Sequence, residues 1–452
     1  MTFAWFVCAI GLLAAPPPAC EWVFPGPGGG QGKTRAVAFD RDGNALLAAE
    51  FAGEGSFGAL RLPNAGGLDM CLVKLDAAGR PLWVSGLGGS LTERAYGVAT
   101  DAGGNAYVTG HFESTNVLAG DRPLPHAGNF DAFTAKFAPD GKLLWAHTAG
   151  GAGSDYGHAI AVDARGDVIV AGAVQGPAKF GERTINAEGK GGTFFCAKYA
   201  PDGQLRWVRT PTGNVGGSGH GVAVDGEGNI YVGGSVSGTG AWGTLPLESK
   251  TTGALALKLS PAGDAVWVSI VPGTTSAIYH EIACDDAGRV WGAGMFKGAV
   301  SVAGEHFQSA GEKDYDGLIV HLDRAGRPQW SRTLRGPGTD YCLGVATDGR
   351  GTSFICGDFT ADTALAGQPL KTRGSGDIFL AAFDPAGAML WVQQAGGKGN
   401  DSAYPLVFRA PDQLLMGGSF GTGALFDAHT PAGTGSGILY GAKWRLVPAN
   451  VP

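Results

Sequence analysis

Three histidines, His158, His220 and His280, each stand five positions before an aspartate (Asp163, Asp225, Asp285) that ends a short β-patterned run. The same offset places Arg35, Tyr96 and Leu343 before Asp40, Asp101 and Asp348, and Tyr404 before the equivalent Arg409. Equivalent positions in a repeating fold form a ring, and successive imidazoles in such a ring are suited to ligating a metal or polarising a substrate. A plainer role competes. Side chains on such strands mostly point at neighbouring sheets, and His158 shares a face with Val162, so packing or loop hydrogen bonding outweighs metal binding as the expectation.

Eight residues before the same positions stand Glu93, Asp155, Asp340 and Asp401. Such acids suit a cation or sugar hydroxyls, but a short acidic side chain more often accepts the free amides of a glycine turn. Asp40-Arg41-Asp42-Gly43-Asn44 imitates the start of a calcium loop, lacks the acid that would close one, and reads as a turn. Lys74, Lys136, Lys198, Lys258 and Lys443 recur with the same period and are expected to lay their stems over apolar surface with the ammonium in water. Glycine-rich pieces such as Gly150-Gly151-Ala152-Gly153 have no helix after them to form a phosphate cradle. No nucleophile elbow, zinc-protease helix or Cys/His nucleophile pair occurs. No residue is therefore assigned as catalytic or metal-binding, no cofactor is implied, and Arg35, Tyr96, His158, His220, His280, Tyr404, Asp155, Asp340 and Asp401 are the candidate binding residues.

The elements that must position them follow from a tryptophan period. Trp22, Trp83, Trp145, Trp207, Trp267, Trp330 and Trp391 recur at steps of 60 to 63 residues, and Trp444 breaks the series by following Lys443 directly. Each unit holds four β-patterned runs. Run A, as in Gly97-Val98-Ala99-Thr100-Asp101, ends in Asp-x-x-Gly-Asn, a turn in which Asp caps and Gly tolerates positive φ. Run B is Ala106-Tyr107-Val108-Thr109-Gly110, run C is Ala132 to Phe137, and Pro139-Asp140-Gly141 turns into run D around Trp145. The first unit opens with a D run alone, Cys20-Glu21-Trp22-Val23-Phe24, and the last supplies A, B and C without D. Four antiparallel runs repeated seven times predict an all-β, seven-bladed β-propeller closed by pairing of the N-terminal strand with the last blade.

The unit Trp145, Gly150-Gly151, Asp155, Ile160 to Asp163, Ile169 to Gly172 resembles the bacterial seven-bladed propeller repeat of the SBBP type, over about residues 20–446. It is loosely similar to NHL-type and quinoprotein-like propellers. The resemblance implies the fold and no single activity.

Composition narrows the class. Glycine supplies 79 of 452 residues and charged residues only 16% against 44% hydrophobic ones, which excludes a disordered chain. A net charge of −7 without any basic run argues against nucleic acid. The seven cysteines lack zinc spacings and fall mostly in strands, so buried free thiols are expected. Residues 3–15 form an apolar run ahead of Pro16-Pro17-Pro18-Ala19-Cys20, predicting a signal peptide over 1–19, one domain over 20–446 and a tail over 447–452. Cys20 in that setting loosely resembles a lipid-anchor site, and no transmembrane span is expected in the mature chain. The sequence thus points to a secreted, periplasmic or cell-surface monomer that binds a protein or glycan through its variable loops. A metal-dependent hydrolase or lactonase-like enzyme at the channel mouth is the alternative, and a structural envelope protein the third reading.

Overall fold

The computed structural model describes residues 16–27, 31–119, 122–189, 191–311, 314–433 and 435–447. Residues 3–15, on which the expected signal peptide rests, and the tail beyond residue 447 lie outside the described residues.

Each repeat folds into four strands that pair in order. In the first full set, Lys33–Phe39, Ala45–Phe51, Asp69–Leu75 and Pro81–Leu87 form an antiparallel sheet. Its two middle strands are buried along their whole length, while the first and last keep half-exposed residues. That contrast follows from position: B and C are covered on both faces by neighbouring sheets, whereas A faces a central channel and D faces solvent. The A strands of the later sets are Glu93–Thr100, Tyr156–Val162, Thr212–Val224, Ser276–Cys284, Asp340–Thr347 and Ser402–Arg409. Each touches the A strand before it, and Ser402–Arg409 touches Lys33–Phe39. In the final sheet the fourth place is taken by Ala19–Pro25, which pairs with Ile438–Arg445. No helix occurs among the described residues, and the fold is an antiparallel β-propeller.

The hydrophobic core lies between sheets. One cluster joins Ala36, Leu46 and Leu72 of one sheet to Val98, Val108 and Phe133 of the next. The repeat tryptophans fasten the outer rim of the same junctions. The indole N–H of Trp22 donates to the carbonyl of Ala77 (3.1 Å), that of Trp83 to Pro139 (2.9 Å) and that of Trp330 to Pro385 (3.1 Å), each in the C to D turn of the following sheet. The turn glycine lies on the indole face. A Cβ on Gly79, Gly141 or Gly387 would sit 2.7 Å from the ring, and all three have positive φ, so both space and backbone demand glycine.

The recurring lysines depart from expectation. Lys74, Lys136, Lys198 and Lys443 are buried, and their ammonium groups have acceptors within the protein. Lys74 pairs with Asp40 at 2.9 Å and Lys198 with Asp163 at 2.8 Å. Lys136 and Lys443 also donate to the carbonyls of Pro201 and Ala77 in the next sheet. The aspartate of the A to B turn supplies the counter-charge for Lys74, Lys136 and Lys198, and Glu21 for Lys443, so the head groups are paired instead of snorkelling. Asp40 also accepts the amides of Asp42 and Asn44 at 2.9 Å, a capped turn. Among the described residues Cys20, Cys71, Cys196, Cys284, Cys342 and Cys356 are free thiols, all buried but Cys284.

Candidate functional site

The ring positions share one backbone feature. Pairing between strands A and B slips by one residue between Thr34 and Ala36, Ala95 and Gly97, Gly157 and Ala159, Gly219 and Gly221, Tyr279 and Glu281, and Cys342 and Gly344. The residue skipped is Arg35, Tyr96, His158, His220, His280 or Leu343. In the last sheet the interruption runs from Ala403 to Leu406 and contains Tyr404. A bulge inserts an unpaired residue and re-aims its side chain. The parity that would send His158 to the same face as Val162 is reset, and the side chains turn into the channel.

There they meet. Arg35, Tyr96, His158, His220, His280, Leu343 and Tyr404, with Glu281 and Pro405, line one cavity of about 190 Å³. Below it a second space of about 180 Å³ is floored by Val98, Ile160, Val222, Ile282 and Val345. Above, an opening of about 340 Å³ runs between His158 and His220 past Tyr156, Gly192, Gly217 and Ser235 to the loop-rich face.

Contacts around the ring are close. Ring centroids lie 5.2 Å apart for Tyr96 and His158, 4.9 Å for His158 and His220, 5.4 Å for His220 and His280, and 4.8 Å for His280 and Tyr404. The Tyr404 hydroxyl is 2.9 Å from His280 Nε2. His111, from strand B, packs behind, tilted against Tyr96 and edge-on to Tyr156. Arg35 holds Glu50 through Nε (3.1 Å) and Nη2 (2.7 Å) and lies over the rings of Tyr96 and Tyr404. Glu50 also faces Arg94 at 3.2 Å. Lys33 sits 4.6 Å over the Tyr404 ring.

Burial sets the protonation states, since a low-dielectric site disfavours charge. The imidazoles keep a partly exposed edge on the cavity but stand deep within the ring. His220 is pushed down to about 4 and His280 to about 3, and His158 falls well below its ordinary value. Burial likewise raises Glu281 to about 8 and Asp358 to about 7, and lowers Lys33. At neutral pH the cavity presents three neutral imidazoles, a protonated Glu281 and the Arg35 cation. Among the described residues no group of three or more His, Cys, Asp or Glu side chains converges as metal ligands do.

The acidic candidates lie elsewhere. The backbone amides of Glu93, Asp155, Asp340 and Asp401 donate to Leu68, Phe130, Tyr315 and Gly376. Each of those residues immediately precedes the first aspartate of a C strand. This sets Glu93 beside Asp69, Asp155 beside Asp131, Asp340 beside Asp316 and Asp401 beside Asp377, all buried. Asp155 accepts the amides of Gly151 (2.8 Å) and Gln175 (2.9 Å), and Asp401 those of Gly397 (2.7 Å) and Gly421 (2.8 Å). They organise the glycine loops around the ring and do not enter it.

Several groups at the site had a sequence signal that the repeat pattern obscured. Position 281 aligns with Ala36, Gly97, Ala159, Gly221, Gly344 and Pro405, so Glu281 is the one acid in a column of small residues. Glu50, His111 and Asp358 stand at one shared position of the B strands, as polar residues in largely apolar runs. A larger groove of about 720 Å³ lies on the flank, lined by His147, Phe180, Arg183, Tyr199 and Arg206. Its polar groups belong to surface strands and turns, and the converging ring is the better-built site.

No family model matches this chain. A stretch of 122 residues is 28% identical to an uncharacterized WD repeat-containing protein of Acanthamoeba polyphaga mimivirus, covering 25% of this chain and 9% of that protein. The chain thus spans under a tenth of the curated relative it matches. Among solved structures, the quinohemoprotein alcohol dehydrogenase of Comamonas testosteroni aligns over 96% of this chain and 77% of its own at 12% identity and TM-score 0.41. YCF48 bound to D1 peptide aligns over 97% and 100% at 12% identity and TM-score 0.41.

Proposed function

We propose that this chain is a seven-bladed propeller of SBBP-type repeats, closed by its Ala19–Pro25 strand, that acts as an exported binding module for a protein or glycan. The loop-rich face is the recognition surface and the ring cavity its centre. One observation carries the reading: a bulge recurs at the same place in each A strand and aims the side chain at one shared space. Bulges interrupt ladder pairing, and their repetition around a channel has a ready explanation in a ligand. The cavity falls below the roughly 300–1,000 Å³ of drug-sized sites, so it takes one small group, either a free molecule or the tip of a larger partner. Export rests on the apolar run at residues 3–15.

The test is a glycan and secreted-protein array probed with the wild-type chain and with His158→Ala/His220→Ala. A hit lost in the variant, with folding unchanged, supports the reading; hits that persist in full place recognition away from the ring. A hydrolase reading has one supporting feature, the protonated Glu281 next to His280, a pairing suited to acid–base work. Ester and lactone hydrolysis by wild type, abolished in Glu281→Gln, would favour it over binding alone.

A further inference from the structure

We propose that the ring cavity receives a small organic carboxylate, held between the Arg35 guanidinium and the imidazole N–H groups of His158 and His220. The inference rests on reading the cavity as a binding site and adds the chemistry of what enters it.

Charge is the first argument. Glu50 is shared by Arg35 and Arg94, so one carboxylate answers two guanidinium groups and a positive charge is left over. Lys33 adds a cation above Tyr404 and makes no ion pair within 4 Å among the described residues. The opposing acids, Asp358 and Glu281, are held partly or wholly protonated by burial. A half-buried excess of positive charge is costly without a counter-ion, and an anion entering the ring would relieve it.

Donor supply is the second. Arg35 spends Nε and Nη2 on Glu50 and keeps Nη1 outside that pair. Each neutral imidazole carries one N–H, and a carboxyl at Glu281 adds an O–H. Arg35 is donor-only, whereas each imidazole and hydroxyl can turn either a donor or an acceptor to the cavity, so an acceptor-only ligand group finds donors there. Shape selects an organic anion over a bare one. The space under the ring is walled by valine and isoleucine, which gains nothing from an ion but buries a hydrocarbon or sugar body. With ~30 Å³ per water, the ring cavity has room for about six waters, enough for one small molecule.

The experiment is calorimetric titration of the purified chain with acetate, glucuronate, inorganic phosphate and neutral glucose, with the histidine Cε1–H resonances followed in parallel. The expected result is binding of the carboxylates with shifts of the His158 and His220 signals, no binding of glucose, and an affinity at least tenfold lower in Arg35→Gln and in His220→Phe. Added sodium chloride should weaken binding in the wild-type chain, a readout that survives if either variant fails to fold. Glucuronate binding more tightly than acetate would assign a sugar acid, and the reverse a simple carboxylate. Glucose binding as tightly as glucuronate, or phosphate binding in place of both carboxylates, would overturn the inference and leave the cavity as a site. Absence of binding by all four probes would overturn it too, and the array decides the broader reading independently.

Discussion

The hydroxyl of Tyr404 meets Nε2 of His280 at 2.9 Å across 124 positions of sequence. The bond joins the last A strand to one two sheets earlier, across the channel mouth. Tyr404→Phe removes the hydroxyl and leaves a half-buried imidazole nitrogen without that partner, a loss of about 1–2 kcal/mol. Urea unfolding measures the cost, and the His280 ring nitrogen shifts should move. Unchanged stability together with unchanged shifts would mean that the two groups do not bond in solution.

Glycine at the C to D turns is required twice over, by backbone and by the docked indole. Gly141 has φ +86° and a Cβ there would lie 2.7 Å from Trp83. Gly141→Ala should cost about 1–3 kcal/mol. In a Trp83→Ala background the steric part of that cost disappears, so the two substitutions should be clearly non-additive in a double-mutant cycle. Strict additivity would rule out the docking contact as the reason for glycine.

Much of this was legible in the residues, and the gaps have physical causes. The tryptophan period, the turns and the shared position of Arg35, Tyr96, His158, His220, His280, Leu343 and Tyr404 are local patterns, visible without coordinates. What those side chains face is not local. It depends on a slip in A to B pairing, and no single residue type marks the slip, since small residues, Glu281 and Pro405 all follow the bulge. Lys198 shows the same limit. Its period is plain, but whether its head reaches water or Asp163 depends on how tightly the next sheet closes over it. Glu281 could have been found by comparing columns across repeats for a lone charge among small residues, and Glu50, His111 and Asp358 by noticing that they share one column of the B strands.

The burial of Lys198 makes a quantitative prediction. Its ammonium lies 2.8 Å from Asp163 and 3.4 Å from Asp167. Lys198→Met keeps the apolar stem and strands the Asp163 carboxylate, for which a loss of about 3–5 kcal/mol is expected. A solvent-facing head would cost less than about 0.5 kcal/mol on the same substitution. Urea denaturation separates the two.

Closure by the N-terminal strand predicts a specific failure. Removing residues 19–25 bares the Ile438–Arg445 edge, which Ala19–Pro25 otherwise pairs, and strips Lys443 and Arg445 of their Glu21 partner. An open, largely apolar edge favours intermolecular pairing. The truncated chain should be less stable and associate at concentrations where the intact one does not, as read by light scattering. A truncated chain that stays monomeric and unfolds at the same urea concentration would argue against closure.

Stability should rise and then fall with pH, from two opposed sets of groups. The ring histidines have folded pKa values below the ordinary 6.5, with His220 near 4 and His280 near 3. The unfolded chain therefore binds more protons between those values, and stability present above about 6.5 is lost as pH falls through that window. The junction acids do the reverse. Burial raises Asp340 to about 7 and Asp316 to about 6, and the neighbouring Asp316 carboxylate adds to the rise at Asp340. Their contribution is fully present below about 3.8 and is lost as pH rises through about 6–7, by an amount on the order of 4 kcal/mol for a shift of about three units. Between about 4 and 6.5 the two sets oppose each other, and above about 6.5 the carboxyls alone still titrate, so urea midpoints should fall there. Asp340→Asn keeps the shape and cannot ionise, so it should flatten the fall above about pH 6.5, while His220→Phe should reduce the loss as pH drops from about 6.5 to 4. A profile that rises steadily to pH 9, or an alkaline limb untouched by Asp340→Asn, would show that these carboxyls do not keep their protons in the folded state.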